Sequence, residues 1–541
     1  MRAERAGIAL GLAAGVALAF WGALDCGFLA WDDDLYVTAN PQVLAGLRGA
    51  GVGWAFTTFH AGNWHPLTWL SHMLDVTLFG VNPMGHHATS VVLHAGCAVL
   101  AFAALAELTG TTWRAAFAAA LFALHPLRVE SVVWVAERKD VLSAAFALGS
   151  LWAYARWARQ KARGPWWASL ALFAAALLAK PMPVTLPFLF LLLDAWPLGR
   201  LRAWRELGAR AAEKWPFFAL SAASCLVTLH AQSAGIAVRL PVTARAANAV
   251  VALAQYVLRA VDPRELAALY PYHPVQPRVV LAAGLFVAAL ALLAFSQRRT
   301  RPWLAVGASW FAGMLVPALG LVQVGVQASA DRYTYLPFLG LALAASWSLA
   351  ELAERVPAGR TVAGALAGLV LAACAVETRR QVPYWHDTVS LLGRAIEVTR
   401  ANWYAHTELG VAYATQGDLA HARLYLEKSL EWNQDQPRAR AYLGLVDVES
   451  GAVEHGITEL QRAVLLDPEI AGGRYALATA LERAGRLGDA VAEYGLALAD
   501  PRSAQAARAR LERLGADARA RGDDALAAGI ESRLSGAGPP R

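Results

Sequence analysis

Apolar residues occur in blocks along this chain, and polar residues gather between the blocks. Apolar stretches fall near residues 8–24, 86–107, 115–127, 141–157, 166–180, 183–197, 215–232, 279–296, 303–323, 333–350 and 361–376. Such runs read as membrane helices, although several are shorter than the ~20 residues a perpendicular span needs. Residues 8–24 follow Arg2 and Arg5 but lack a small-x-small cleavage site, so they read as an uncleaved first helix. After about residue 377 the chain becomes charged, periodic and repetitive.

The repeat has a fixed step. Gly417, Gly451 and Gly485 are spaced by 34 residues, as are Leu409, Leu443 and Leu477. Ala422, Gly456 and Ala490 keep the same step, and so do Leu426, Leu460 and Tyr494. Period 34 with Leu-Gly early and small residues mid-repeat is the tetratricopeptide signature. Small residues let the two helices of a hairpin approach closely, and large apolar ones bury against the next repeat. The pattern therefore predicts an all-α protein. Residues 1–377 form a polytopic transmembrane helix bundle of about 11 spans, and 378–535 form a tetratricopeptide α-solenoid. Residues 536–541 form a disordered tail. A solenoid offers a concave surface to a peptide or protein; a spacer or oligomerisation module is the plainer alternative.

Composition agrees with a membrane protein. Hydrophobic residues make up 57% of the chain and charged residues only 16%. The net charge of +7 carries no nucleic-acid motif with it and no nucleic-acid partner is expected. It is concentrated in clusters: Arg156 to Arg163, Arg200 to Lys214, Arg298 to Arg301, and Arg355 with Arg360. Basic loops favour the cytoplasmic side. All four clusters fall inside only if the short apolar segment 247–261 lies on the outer surface rather than spanning. That gives eleven spans, a cytoplasmic N-terminus, and an outer location for the first loop and everything after residue 377. Cys26, Cys97, Cys225 and Cys374 form no CxxC, so neither a disulfide framework nor a thiolate metal site is expected.

The outer loops then hold an unusual set of polar residues. Trp31-Asp32-Asp33-Asp34 follows the first span. Acids at a membrane edge are functional candidates and can act as a general base; Asp is equally a helix N-cap. His65 and His125 each precede a proline, a position that can simply end a helix. Glu137-Arg138-Lys139-Asp140, Lys180, and Arg332-Tyr333 complete the set, with Arg239 and Arg245 between spans. Basic residues held outside run against the positive-inside rule, and a phosphate is one reason to hold them there. The histidine spacing fits no zinc pattern. The acid cluster admits a divalent ion through oxygen ligands without defining a geometry.

Four stretches resemble a known family. WDDDLYVTANPQV, NWHPLTWLSHMLD, LHPLRVESVVWVAERKDVLS and DRYTYLP, followed by a tetratricopeptide tail, are similar to the transmembrane and tetratricopeptide repeat-containing O-mannosyltransferases and their bacterial relatives. The resemblance implies a C-type glycosyltransferase fold and a polyprenyl-phosphate sugar donor, with no required cofactor. It implies Asp32 or Asp33 as the base, with Asp34 one acid more than the family pair. It implies Arg138, Lys139 and Arg332 on the donor phosphate. Asp34, His65, His125, Glu137, Asp140, Lys180 and Tyr333 are further candidates for lining the site. The expected activity is inverting transfer of mannose or another hexose to a protein hydroxyl on the non-cytoplasmic side. The Ala-, Arg- and Gly-rich usage points to a bacterial inner membrane, with the repeats in the periplasm. The alternatives are a non-enzymatic membrane-anchored scaffold for envelope assembly, or a same-fold transferase acting on lipid or glycan.

This topology makes one direct prediction. A cysteine introduced near residue 420 reacts with a membrane-impermeant thiol reagent from the non-cytoplasmic side only; labelling from the cytoplasm refutes the orientation.

Overall fold

The computed structural model describes residues 2–232, 240–321 and 327–536. Arg239 and the tail beyond Gly536 lie outside these residues. The fold is all-α: among the described residues the sole strand pairing is Tyr270–Pro271 with Gln327–Ser329. The chain divides into two compact units, Met1–Arg394 and Ala395–Arg541.

In the first unit a helix covers most of each apolar stretch among the described residues. Proline at the first helical position starts many of them, where its missing N–H is no loss. Pro83 opens Pro83–Thr109, and the Asn82 side chain caps it by accepting from the Met84 N–H at 3.1 Å. Three helical stretches are long and apolar enough to cross a membrane: Pro83–Thr109, Pro277–Ser296 and Gly359–Trp385. A fourth candidate is broken: Thr112–Leu124 and Pro126–Val133 pass together but bend by 61°. The break falls at His125-Pro126, where proline removes a helical hydrogen bond and restricts the residue before it. Met182–Ala195 and Pro302–Ala318 are shorter apolar helices. Leu281 and Leu292 on helix Pro277–Ser296 are 64% and 73% exposed. Leucines presented outward along a whole helix fit a lipid environment, and the protein is a membrane protein.

The core of this unit is built on helix Arg138–Gln160, which packs against Pro83–Thr109 and Arg163–Ala179. Close approach needs small residues elsewhere. A Cβ on Gly307 would lie 2.4 Å from the Gly340 carbonyl oxygen, so helices Pro302–Leu315 and Phe338–Glu354 meet backbone to backbone. Segment 247–261 sits on helix Val242–Val261, which buries Ala249, Ala252 and Tyr256 against Phe311, Leu315 and Leu319.

The second unit is a series of helical hairpins: Trp403–Thr415 with Leu419–Trp432, Pro437–Glu449 with Val453–Leu466, Gly473–Arg483 with Leu487–Ala497, and Ala504–Arg521 with Asp524–Leu534. The 34-residue step of the sequence is repeated in the contacts. Arg440 pairs with Glu459 at 2.5 Å, and 34 positions later Arg474 pairs with Glu493 at 3.0 Å. Gly417, Gly451 and Gly485 turn the first three hairpins with φ of +81°, +92° and +77°, and Gly522 turns the fourth with φ +72°, a region only glycine adopts freely.

Gly444 shows how tightly these hairpins pack: a Cβ there would lie 2.6 Å from Leu460 Cγ and 2.8 Å from the Gly456 carbonyl oxygen. Gly444→Val should destabilise the hairpin series by about 1–3 kcal/mol. Limited proteolysis of the intact chain should then cut within 403–497 earlier than in the wild type. Unchanged protection would contradict this packing.

Candidate active site

The site begins with a strap. The acidic loop after the first helix is tied to the turn before helix Arg138–Gln160 by two hydrogen bonds. Trp134 Nε1 donates to the Trp31 carbonyl at 2.8 Å, and the Ala136 N–H donates to Asp33 Oδ1 at 2.7 Å. The other Asp33 oxygen accepts from the Leu29 N–H at 2.8 Å. Asp33 is 0% exposed, and burial raises its carboxyl to about 7 against the opposing pull of those two amides. Asp33 therefore organises backbone. It makes no capping bond to the helix that follows.

Asp32 is turned the other way. It is exposed and held at φ +67°, in the left-handed region that a non-glycine residue occupies at a cost of about 1–3 kcal/mol. Such strain persists only where surrounding structure imposes it, and here the strap on both sides does so. The surrounding protein raises the Asp32 carboxyl above the ordinary aspartate value; Lys139 and Arg332 lower it, and Glu137 and Asp34 add to the rise. Asp34 is exposed at the start of the short helix Asp34–Thr38.

Asp32 feels the charges of a buried ion cluster centred on Glu137. Its carboxylate meets Lys139 Nζ at 3.1 Å, Lys180 Nζ at 2.8 Å and Arg332 Nε at 3.3 Å. Burial alone would raise its pKa, but these three cations outweigh burial and hold it well below the usual range. Lys180 also pairs with Asp140 at 2.6 Å, and Asp140 accepts from the Ser131 hydroxyl at 3.0 Å. Arg332 pairs with Glu130, whose other oxygen accepts from the Arg332 backbone N–H at 2.7 Å. Aromatic faces wall the cations: Lys139 Nζ lies 4.4 Å from the Tyr36 ring centre, and the Arg332 guanidinium lies 5.4 Å from Trp134 and 5.0 Å from Tyr333. His65 is buried behind this wall, its ring 5.5 Å from Tyr36 and 4.8 Å from Trp69.

The structure thus gathers Asp32, Glu137, Lys139, Asp140, Lys180, Arg332 and Tyr333 into one place. It separates others. Arg138 is fully buried on the opposite side of its helix, paired with Asp75 at 2.7 Å and bonded to Ser90, Ser71 and the His86 carbonyl. That commitment turns it away from the other two cations expected on the phosphate. His125 accepts from the Leu127 N–H and contacts the Ala260 carbonyl, at the break between two helices. The sequence sets Asp75 and Glu130 among the polar residues of its loops without giving them, or Arg259, a place at the site. Arg259 pairs with Asp331 at 3.3 Å and lies 3.4 Å from the centre of the Tyr270 ring, bracing the turn that carries Arg332. Asp75 and Arg259 are single charges within apolar stretches, which is the signal that marks a buried partner. Among the described residues, no group of three or more His, Cys, Asp or Glu is placed to hold a metal ion.

No family model matches the chain. Similar proteins are known, however. The protein O-mannosyl-transferase Tmtc1 of Drosophila melanogaster is 31% identical over 201 residues, covering 35% of this chain and 23% of that protein. The Mus musculus protein O-mannosyl-transferase TMTC3 is 30% identical over 158 residues, covering 28% of this chain and 16% of that protein. The Homo sapiens protein O-mannosyl-transferase TMTC2 is 30% identical over 161 residues, covering 28% and 18% respectively. Over these stretches the chain is similar to the TMTC O-mannosyl-transferases. It spans between 16% and 23% of the length of these three TMTC proteins, so the likeness concerns a part of each.

The two neighbouring aspartates have separable roles, and stability should report them. Asp33→Asn puts an amide where one of two buried backbone N–H groups needs an acceptor, at a cost of about 1–3 kcal/mol. Asp32→Asn removes no side-chain hydrogen bond or ion pair and suits the left-handed backbone better, since Asn adopts it more readily. In detergent, the unfolding temperature should fall for Asp33→Asn and stay level or rise for Asp32→Asn. The reverse order would reject the assignment of Asp33 as the structural acid.

Proposed function

We propose that this protein is a membrane glycosyltransferase. It moves a hexose, mannose by analogy with its relatives, from a polyprenyl-phosphate donor to a hydroxyl of a protein acceptor. The observation that carries the reading is the convergence of an exposed, strained Asp32 on a buried cluster that presents Lys139, Lys180 and Arg332 from three distant parts of the chain.

Asp32 takes the proton from the acceptor hydroxyl. The oxygen forms a bond to C1 of the sugar as the bond from C1 to the phosphate oxygen breaks, so the configuration inverts. The electron pair leaves with the phosphate, which passes from a singly charged diester to a monoester with a second negative charge. Lys139 and Arg332, the cations that Asp32 already feels, meet that developing charge, with Lys180 behind them. Preorganised charge of this kind contributes about 3–4 kcal/mol per well-placed donor. General-base assistance adds roughly 10²–10⁴-fold.

We place the site on the non-cytoplasmic side of a bacterial inner membrane, because the basic clusters lie in the loops at the opposite ends of the helices. The eleven-span topology and the C-type fold belong to this same reading. The hairpins of the second unit are read as a tetratricopeptide solenoid that holds the acceptor protein and raises its local concentration.

Purified protein given mannosyl polyprenyl phosphate and candidate envelope proteins should transfer mannose, with products read by mass spectrometry. Asp32→Asn should lower transfer by at least 10²-fold while the protein stays folded. The base must be ionised, and its pKa is raised, so transfer should fall on the acid side at a pH above the ordinary aspartate value of 3.8. Lys139→Met removes the largest influence lowering that pKa and should move the acid limb to higher pH. Wild-type transfer by Asp32→Asn would end this reading.

A further inference from the structure

A second ion cluster lies at the far end of helix Arg138–Gln160, and its charges do not balance. The helix has 23 residues and runs about 34 Å, close to the thickness of a bilayer's hydrocarbon core. The cluster around Glu137 sits at its start. Near its end Asp194 is fully buried; it accepts from the Tyr154 hydroxyl at 2.7 Å and pairs with Arg200 at 2.8 Å and Lys214 at 2.6 Å. Glu213 pairs with Arg200 and Arg210, each at 2.5 Å. Lys161 follows the last turn of the helix. Its Nζ lies 5.1 Å from the centre of the Trp157 ring, which the Arg200 guanidinium also covers at 4.5 Å.

Lys161 is exposed and makes no ion pair among the described residues. Desolvation, and then Arg200 and Arg210, hold its ammonium below the ordinary lysine value, with Glu213 pulling the other way. Four cations thus share two carboxylates, whereas around Glu137 the two signs are matched. One donor is also unanswered: the Arg200 side chain is 9% exposed, and its Nε–H is buried without an acceptor in the protein. Cations gathered beyond their counter-charges call for an anion. Tryptophan marks the level at which this happens. Trp204, 87% exposed, stands between Arg202 and Arg205, and Trp167 and Trp215 are exposed nearby in the chain. Exposed tryptophan beside arginine suits the headgroup layer of a bilayer, where the ring meets lipid and the cation meets phosphate. A soluble anion gives those rings nothing to contact.

The geometry points to an anionic-phospholipid site on the membrane face opposite the Glu137 cluster: Lys161 and Arg200, with the exposed Arg202 and Arg205 beside them, hold the headgroup phosphates, and Trp204 and Trp215 contact the upper acyl chains. Two surplus charges suit two phosphates. Cardiolipin, which carries two phosphodiesters, therefore binds more tightly than phosphatidylglycerol, which carries one, and phosphatidylcholine has no net charge to offer. The site involves neither sugar nor acceptor, so it stands apart from the transferase reading.

The full chain in neutral detergent is mixed with equal amounts of cardiolipin, phosphatidylglycerol and phosphatidylcholine, and bound lipid is read by native mass spectrometry. Cardiolipin adducts should exceed phosphatidylcholine adducts at least tenfold. Saturating cardiolipin should raise the unfolding temperature, because a ligand of the folded state stabilises it. Lys161→Gln combined with Arg205→Gln removes two cations that make no ion pair among the described residues. That double variant should keep the lipid-free unfolding temperature and bind cardiolipin at least fivefold more weakly. Arg298→Gln combined with Arg299→Gln takes the same charge from another basic loop and should bind as the wild type does. Equal weakening by both double variants would reduce the effect to overall charge and overturn the site, as would phosphatidylcholine adducts as abundant as those of cardiolipin. Excess inorganic pyrophosphate at constant ionic strength should leave cardiolipin bound; its displacement would make this a soluble-phosphate site and overturn the assignment to a membrane lipid.

Discussion

The Glu137 carboxylate is the interaction on which the site depends. Lys139 comes from the start of one long helix, Lys180 from the end of another, and Arg332 from a turn nearly two hundred positions away. Brought together without an anion, three cations would repel: two unit charges at 4 Å interact by about 4 kcal/mol in partly buried surroundings. Glu137 meets all three within 3.3 Å. Glu130 and Asp140 each take a second hold on one of them, so three carboxylates balance three cations. The cluster can therefore be buried, at a membrane edge, without an excess charge that the surroundings would reject.

That balance is useful only if something faces it, and the strap supplies it. Asp33 and Trp31 are fixed to the turn at Trp134 and Ala136, one residue short of Glu137. The same short segment thus positions the exposed acid and the central anion. A free loop would let Asp32 relax from its left-handed backbone; a loop pinned on both sides does not. The strain at Asp32 and the burial of Asp33 are two consequences of one geometric demand, that adjacent residues point in opposite directions.

This also explains what the sequence could and could not show. Apolar runs marked most helices of the first unit, though not Pro66–Phe79, and only three of the eleven expected spans are helices long and apolar enough to cross a membrane; the 34-residue step marked the hairpins, because it is periodic and local. The motifs ERKD and WDDD were legible as places rather than as sets of equivalent residues. Successive positions on a helix diverge by about 100°, so neighbours in a motif do not share a face. Arg138 therefore leaves the cluster that Glu137 and Lys139 share and pairs with Asp75. The counter-charges Asp75, Glu130 and Arg259 sit far along the chain from the groups they satisfy. No local pattern names such partners; only the rule that a buried charge must be paired announces that they exist.

A neutral cluster also bears on how a phosphate is received. A surplus of cations would bind a phosphodiester tightly before reaction and so favour the ground state. Where the positive groups are already shared with carboxylates, a singly charged diester gains little from them. On the proposed transfer, the second charge that appears as the sugar departs gains more, because Lys139 and Arg332 can shift their share from Glu137 and Glu130 toward it. Only interactions stronger in the transition state than before it speed the chemical step. On that reading the long apolar chain of a lipid donor adds little affinity of its own, because hydrophobic gain, about 25 cal/mol per Å², comes only from surface removed from water. In a membrane that surface is already out of water, so the chain contributes alignment rather than hydrophobic gain. On the proposed transfer such a site works through placement: an acid held beside cations that their own carboxylates keep in reserve.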